Sequence, residues 1–228
     1  MVHQDDAGPG VFTTAIEGGG HELATWNVAE EPEPPADPLG YDAVVCLGGS
    51  AHPVEEETYP WLGGEKDVLA ALLAAEVPLL AVCLGAQLLA LAAGGTTARA
   101  VEPEIGWFEV ELTADGNEDQ LLAPLAPSFE AFEWHSYECL PPTEAVPLAR
   151  TPACLQAFRL GRAHAIQFHA EVSEADARHW IDDYRADPDA VRIGVEPAAL
   201  HAETAPRIGA FNVLGAALCE RWLDLAAG

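Results

Sequence analysis

The chain has 228 residues, half of them hydrophobic, and sets 37 acidic side chains against 10 basic ones for a formal net charge of -27. That balance argues against nucleic acid as a direct partner, and no apolar run reaches the length that spans a bilayer. The first residues, MVHQDDAGPG, lack the basic and apolar regions of a secretory signal. Five widely spaced cysteines without a C-x-x-C pair fit a reducing cytoplasm, and the length fits one α/β domain over residues 1–228.

In chain order, the polar, turn-like segment after Met1-Val2 leaves no room for a full first strand. This implies that residue 1 lies downstream of the native start. Val11 to Gly18 reads as a short helix, His21 to Val28 as a strand, and Glu30 to Pro38 as an acidic, proline-rich loop. Tyr41 to Leu47 is a strand with a Val-Val core that runs into Gly48-Gly49-Ser50, where glycines let backbone approach a ligand or simply make a turn. His52 to Tyr59 is an acidic loop, and Trp61 to Ala75 is a helix.

Val77 to Gly95, VPLLAVCLGAQLLALAAGG, organises the rest. Leu79 to Val82 reads as a buried strand and Leu84 to Ala93 as a helix that stops at Gly94-Gly95. Strand, sharp turn and helix form the layout of a nucleophile elbow, with Cys83 at the corner, where the helix N-terminus favours a thiolate. An ordinary buried cysteine at a strand end fits this stretch equally well.

Downstream the pattern turns to strands: Glu104-Ile105-Gly106-Trp107 leads into the alternating Phe108 to Leu112, and Asp115 to Pro127 is loop. Phe129 to Trp134 then precedes His135-Ser136-Tyr137. Leu155 to Arg159 and His164 to Phe168 read as a hairpin turned at Gly161, ending on His169-Ala170-Glu171. Ser173 caps a following helix, and Ala210 to Ala226 is a last amphipathic one. His169 and Glu171, two apart at a strand end, can share a side, so that the carboxylate accepts from one ring nitrogen while the other faces a thiol. Taken alone, such a pair is more often surface decoration. Trp107 and Trp134 read as packing, the other histidines show no metal-ligand logic, and Cys46, Cys139, Cys154 and Cys219 read as inert buried thiols.

Gly48-Gly49-Ser50, Cys83-Leu84-Gly85-Ala86-Gln87, Glu104-Ile105-Gly106-Trp107, Trp134-His135-Ser136 and Gln167-Phe168-His169-Ala170-Glu171 occur in that order. With them the sequence resembles a class I glutamine amidotransferase, of the stand-alone type similar to the corresponding domain of GMP synthase, over roughly residues 40–173. The resemblance implies a three-layer, mostly parallel, flavodoxin-like sheet flanked by helices. It implies that Cys83 attacks a glutamine side-chain amide to form a γ-glutamyl thioester and release ammonia, with His169 as base and Glu171 orienting it. The backbone amides of Gly49 and Leu84 would form the oxyanion hole, Gln87 would contact substrate, and His135, Ser136 and Tyr137 would bind the glutamine α-amino and carboxylate groups. Neither a metal nor an organic cofactor is implied.

The departure at Ala170, where the family usually has proline, keeps both catalytic side chains and loses only a fixed φ. No P-loop or ATP-pyrophosphatase region is present, so the ammonia acceptor would be activated by a separate synthetase subunit. Two alternatives are a self-sufficient γ-glutamyl peptide or amine hydrolase and a non-catalytic binding protein. Lys66 as the one lysine, abundant alanine and the acidic balance fit a GC-rich genome and a high-salt cytoplasm.

Overall fold

The computed structural model of the chain describes residues 1–31 and 33–228. Pro32, inside the expected 30–38 loop, lies outside the described residues. Leu79–Val82 (β2) is buried at every position, although successive side chains of a strand point to opposite faces. Leu80 and Val82 enter one core with Phe12, Ile16, Phe211 and Trp222, whereas Leu79 and Ala81 enter a second with Leu62, Leu69, Leu72 and Leu88. A strand covered on both faces has no reason to alternate, which is why it reads as a continuous apolar run.

Three layers result. Helices Gly10–Gly18 (α1) and Ile208–Ala227 (α7) supply the first core, and Trp61–Ala74 (α2) and Leu84–Ala92 (α3) the second. Between them lies a sheet of Val44–Cys46 (β1), β2, Thr96–Leu112 (β3), Ser128–Leu140 (β4), Val146–Arg150 (β5), Leu155–Leu160 (β6) and Ala163–Ile166 (β7). Its strand order is β1-β2-β7-β6-β5-β3-β4. The flavodoxin-like α/β expectation holds, and the sheet is mixed: β1, β2 and β7 run parallel, while the pairs from β7 through β6, β5 and β3 to β4 are antiparallel.

The expected strand over His21 to Val28 is not one. Its partner is only Met1-Val2, so pairing stops after a single bridge at Asn27, with Val2 N bonded to Trp26 O and Val28 N to Val2 O. On the other side Met1 N donates to Val45 O at 2.7 Å, and Leu47 N to Met1 O. Met1 and Val2 thus fill the slot beside β1. Strand β5 and the helices Pro188–Arg192 (α5) and Pro197–Thr204 (α6) have no counterpart among the elements expected from the sequence. Both short helices start on proline at a first-turn position, a start signal that was available at Asp187-Pro188 and Glu196-Pro197. Glu174–Asp182 (α4) begins as expected at Ser173, whose side chain accepts from Asp176 N while the Asp176 carboxylate accepts from Ser173 N.

Candidate active site

Because β1, β2 and β7 are parallel neighbours, their carboxyl ends meet at one edge, where ligands bind in such sheets. The chain leaves β1 into Gly48-Gly49, β2 into Cys83 and β7 towards His169. Cys83 sits at φ 50° and ψ -108°, a left-handed conformation that costs a side-chain-bearing residue about 1–3 kcal/mol. Its N–H bonds Ile166 O and its carbonyl accepts from Gln87 N, so strand and helix hold the corner from both sides. The corner also needs Gly85, where a Cβ would lie 2.3 Å from Cys46 O. The Cys83 thiol points towards Trp134 O at 3.8 Å.

His169 is reached three residues after β7 ends, on a turn rather than on the strand itself. Glu171 meets it across that turn, with Oε1 2.7 Å from Nδ1. The turn is braced by neighbours without side chains. A Cβ on Gly10 would lie 2.0 Å from Glu171 O, and one on Gly215 of α7 would lie 1.9 Å from Ala170 O. The Trp180 ring stands edge-on to His169, with centroids 4.8 Å apart. Burial alone would pull the His169 pKa down, but the Glu171 carboxylate and the Cys83 sulfur together hold it well above the ordinary imidazole value. Gly48 lies against both partners: a Cβ there would meet His169 Cε1 at 2.9 Å and Cys83 Cβ at 3.4 Å.

These groups open on a cavity of about 220 Å³, lined by Gly49, Cys83, Gln87, His135, Ser136, Tyr137 and His169 among others. Glu171 stands behind His169 and does not line it, and Leu84 is buried with its N–H at the start of α3. Gln87 gives its amide nitrogen to Tyr137 O and Gln167 Oε1. Both His135 ring nitrogens are engaged, Nδ1 with Tyr137 O and Nε2 with Glu104 Oε2, so this side chain shapes the wall rather than offering a free donor. Ser136 lies against Asp189, whose carboxyl burial raises but Ser136, Arg192 and Arg99 lower on balance. Trp107 packs against Phe132 and Phe211, whereas Trp134, also expected to be packing, lines the cavity and anchors to Asp187 through its indole N–H. A larger cavity of about 940 Å³, lined by Met1, Trp26, Tyr41 and Trp222 among others, includes none of these groups.

The model of the glutamine amidotransferase class-I family matches residues 15–183. The chain belongs to this family. It is 36% identical over 168 residues to a subunit of the glutamine-hydrolyzing GMP synthase of Ignicoccus hospitalis, covering 71% of this chain and 82% of that protein. With the corresponding subunit of Sulfurisphaera tokodaii it shares 31% over 150 residues, 64% of this chain and 76% of the other. The crystal structure of a glutamine amidotransferase from Thermotoga maritima superposes with a TM-score of 0.87 at 25% identity, covering 97% of this chain and 95% of that one.

In this class I glutamine amidotransferase the cysteines divide by environment. Burial pushes the thiols of Cys46, Cys139 and Cys154 well up, and that of Cys219 up to about 12, in keeping with inert thiols. Beneath the cavity Glu104 Oε2 collects the Gln156 amide at 2.7 Å, His135 Nε2 at 3.2 Å and the Cys154 thiol at 3.4 Å. Beside this network Glu133 is fully buried, and neither of its carboxyl oxygens has a hydrogen-bond partner among the described residues. Burial first and the neighbouring Glu104 next raise its pKa well above the usual carboxylate range, which favours the neutral acid, although His135 Nε2 lies 3.5 Å from Oε2. Among the described residues no helix is long and apolar enough to cross a membrane.

Proposed function

We propose that this amidotransferase hydrolyses the side-chain amide of glutamine through Cys83, His169 and Glu171 and passes the ammonia to a separate synthetase subunit. The observation that carries the reading is the left-handed Cys83 corner opening on the same cavity as a buried His169–Glu171 pair. Cys83 sulfur attacks the amide carbon, and the Gly49 and Leu84 N–H groups receive the oxyanion. The C–N bond then breaks as His169 gives its proton to the departing nitrogen, which leaves as ammonia. Water, deprotonated by His169, attacks the thioester and releases glutamate, returning the proton to the Cys83–His169 pair. Glu171 accepts from Nδ1, which keeps Nε2 for this traffic and favours the imidazolium.

The relatives that match over most of their length are subunits of a glutamine-hydrolyzing GMP synthase, which supports glutamine as the substrate and a second chain as the ammonia acceptor. One observation favours a second reading, hydrolysis of a γ-glutamyl amine without any partner. Asp6, Asp183 and Asp187 line the cavity, and neither lysine nor arginine occurs among its described lining residues. Such walls favour a leaving group that is neutral or cationic.

Ammonia release from glutamine and from γ-glutamyl amines, for wild type and Cys83→Ala, with and without synthetase subunits from the same genome, separates the readings. The first expects glutamine turnover that rises when a synthetase is added and is absent in Cys83→Ala. Turnover of γ-glutamyl amines alone supports the second, and equal activity of Cys83→Ala overturns both.

A further inference from the structure

An oxyanion donor has to point at one place, and a Gly-Gly pair is poorly suited to hold a direction by itself. The hold comes from the start of the chain. His3 Nδ1 lies 2.8 Å from Gly48 O. A carbonyl can only accept, so Nδ1 carries the proton and donates. The Gly48 C=O and the Gly49 N–H belong to one planar peptide group and point in opposite directions, so fixing the carbonyl aims the amide. Hydrogen bonding at the oxygen also polarises the group and strengthens the N–H as a donor.

The far side of the ring is fixed as well. His3 Nε2 sits 2.8 Å from Glu65 Oε1 and 3.0 Å from Oε2, and the Cys46 thiol donates to the same carboxyl at 3.2 Å. His3, Cys46 and Glu65 are all buried. Trp61 stacks on the imidazole with centroids 5.2 Å apart and planes within 16°. A Cβ on Gly49 would lie 2.8 Å from His3 Cβ, so the histidine is in direct contact with the loop. The chemistry of Cys83, His169 and Glu171 makes no use of this separate histidine–carboxylate pair.

We propose that His3, oriented by Glu65, is a positioning residue that locks the plane of the Gly48–Gly49 peptide and tunes the Gly49 N–H as oxyanion donor. This rests on the oxyanion role given to Gly49 above. The test compares His3→Asn, His3→Gln and His3→Ala in the full chain. The asparagine amide nitrogen falls near Nδ1 and can still donate to Gly48 O. The glutamine nitrogen falls near Nε2, so that variant keeps the Glu65 contact and loses the Gly48 bond.

Loss of a whole oxyanion donor costs about 10²–10³-fold in kcat. A donor left in place but unaimed is expected to cost about 10- to 100-fold in His3→Gln and His3→Ala, with KM little changed and most of kcat restored in His3→Asn. Alkylation of Cys83 by chloroacetamide, a displacement at tetrahedral carbon that builds no oxyanion, is expected to run at the wild-type rate in all three. Full activity in His3→Gln overturns the proposal. So does an equal loss in the Asn and Gln variants, or a parallel fall in alkylation, since either marks His3 as a packing residue. Undiminished turnover by Cys83→Ala is a different result, which removes the functional reading itself.

Discussion

Glu171 Oε1 lies 2.7 Å from His169 Nδ1, while Glu171 Oε2 is buried with no hydrogen-bond partner among the described residues. Among the described residues the carboxylate therefore directs its hydrogen bond at one imidazole alone. In Glu171→Gln an amide oxygen can still accept from Nδ1–H, but the charge that favours the imidazolium is gone. Turnover is expected to fall by about 10²–10⁴-fold with KM little altered. Steady-state kinetics at neutral pH decides this, and a loss below threefold would show that Glu171 serves only packing.

The raised pKa of His169 has a consequence for stability. A histidine that binds its proton more tightly in the folded state stabilises that state fully below the unfolded imidazole pKa, about 6.5, and the contribution fades as pH rises through the higher folded value. Denaturant unfolding between pH 6 and 10 should show wild type losing stability along this limb and His169→Gln losing less. Parallel pH profiles for the two proteins would contradict it.

Glu133 titrates with the opposite sign from an ordinary paired carboxylate. Its folded pKa is raised by burial first and by Glu104 next, so the folded state prefers the acid, and stability drops as pH climbs above the unfolded glutamate value of about 4.3. Glutamine is nearly isosteric with that neutral acid. Glu133→Gln is expected to melt higher than wild type at pH 8 and by a smaller margin at pH 5. A margin independent of pH would mean that Glu133 carries no proton in the fold.

Much of the site was legible in the sequence because it is built from strand ends followed by glycine or cysteine, which are local signals. The Cys83 corner needs only Leu79 to Val82, Gly85 and a helix-forming run. His169 and Glu171 were legible only as a motif: the structure joins them across a turn, not by the alternation of a strand, and no local periodicity encodes that. Gly10 and Gly215, which brace the turn, are spaced far from it and look like ordinary glycines. His3 was equally opaque, since its partners, Gly48 and Glu65, lie 45 and 62 residues away. The false strand over His21 to Val28 has a similar origin, because strand length depends on a partner that local pattern does not reveal.

The charge balance of -27 predicts a response to salt. Self-repulsion among exposed carboxylates is screened with a Debye length of about 3 Å at 1 M salt, against about 10 Å at 0.1 M. Thermal melting in 0.1 M and 2 M KCl is expected to show a higher midpoint at the higher concentration. An unchanged midpoint would remove the high-salt reading of the composition.

Gly215 offers the sharpest separation of site geometry from folding. It lies within α7, and a Cβ there would stand 1.9 Å from Ala170 O, between the two residues whose alignment matters. The obstacle is backbone, so either the helix or the 169–171 turn must shift. Gly215→Ala is expected to cost about 1–3 kcal/mol of stability through overpacking. A displacement near 1 Å at His169 would reduce kcat by about 10²-fold. Gly209 lies on the same helix with nothing within 4 Å of an added Cβ, so Gly209→Ala should leave kcat unchanged and raise stability by up to about 1 kcal/mol. Equal kinetics in the two alanine variants would show that the turn holding His169 and Glu171 does not depend on the close approach of α7.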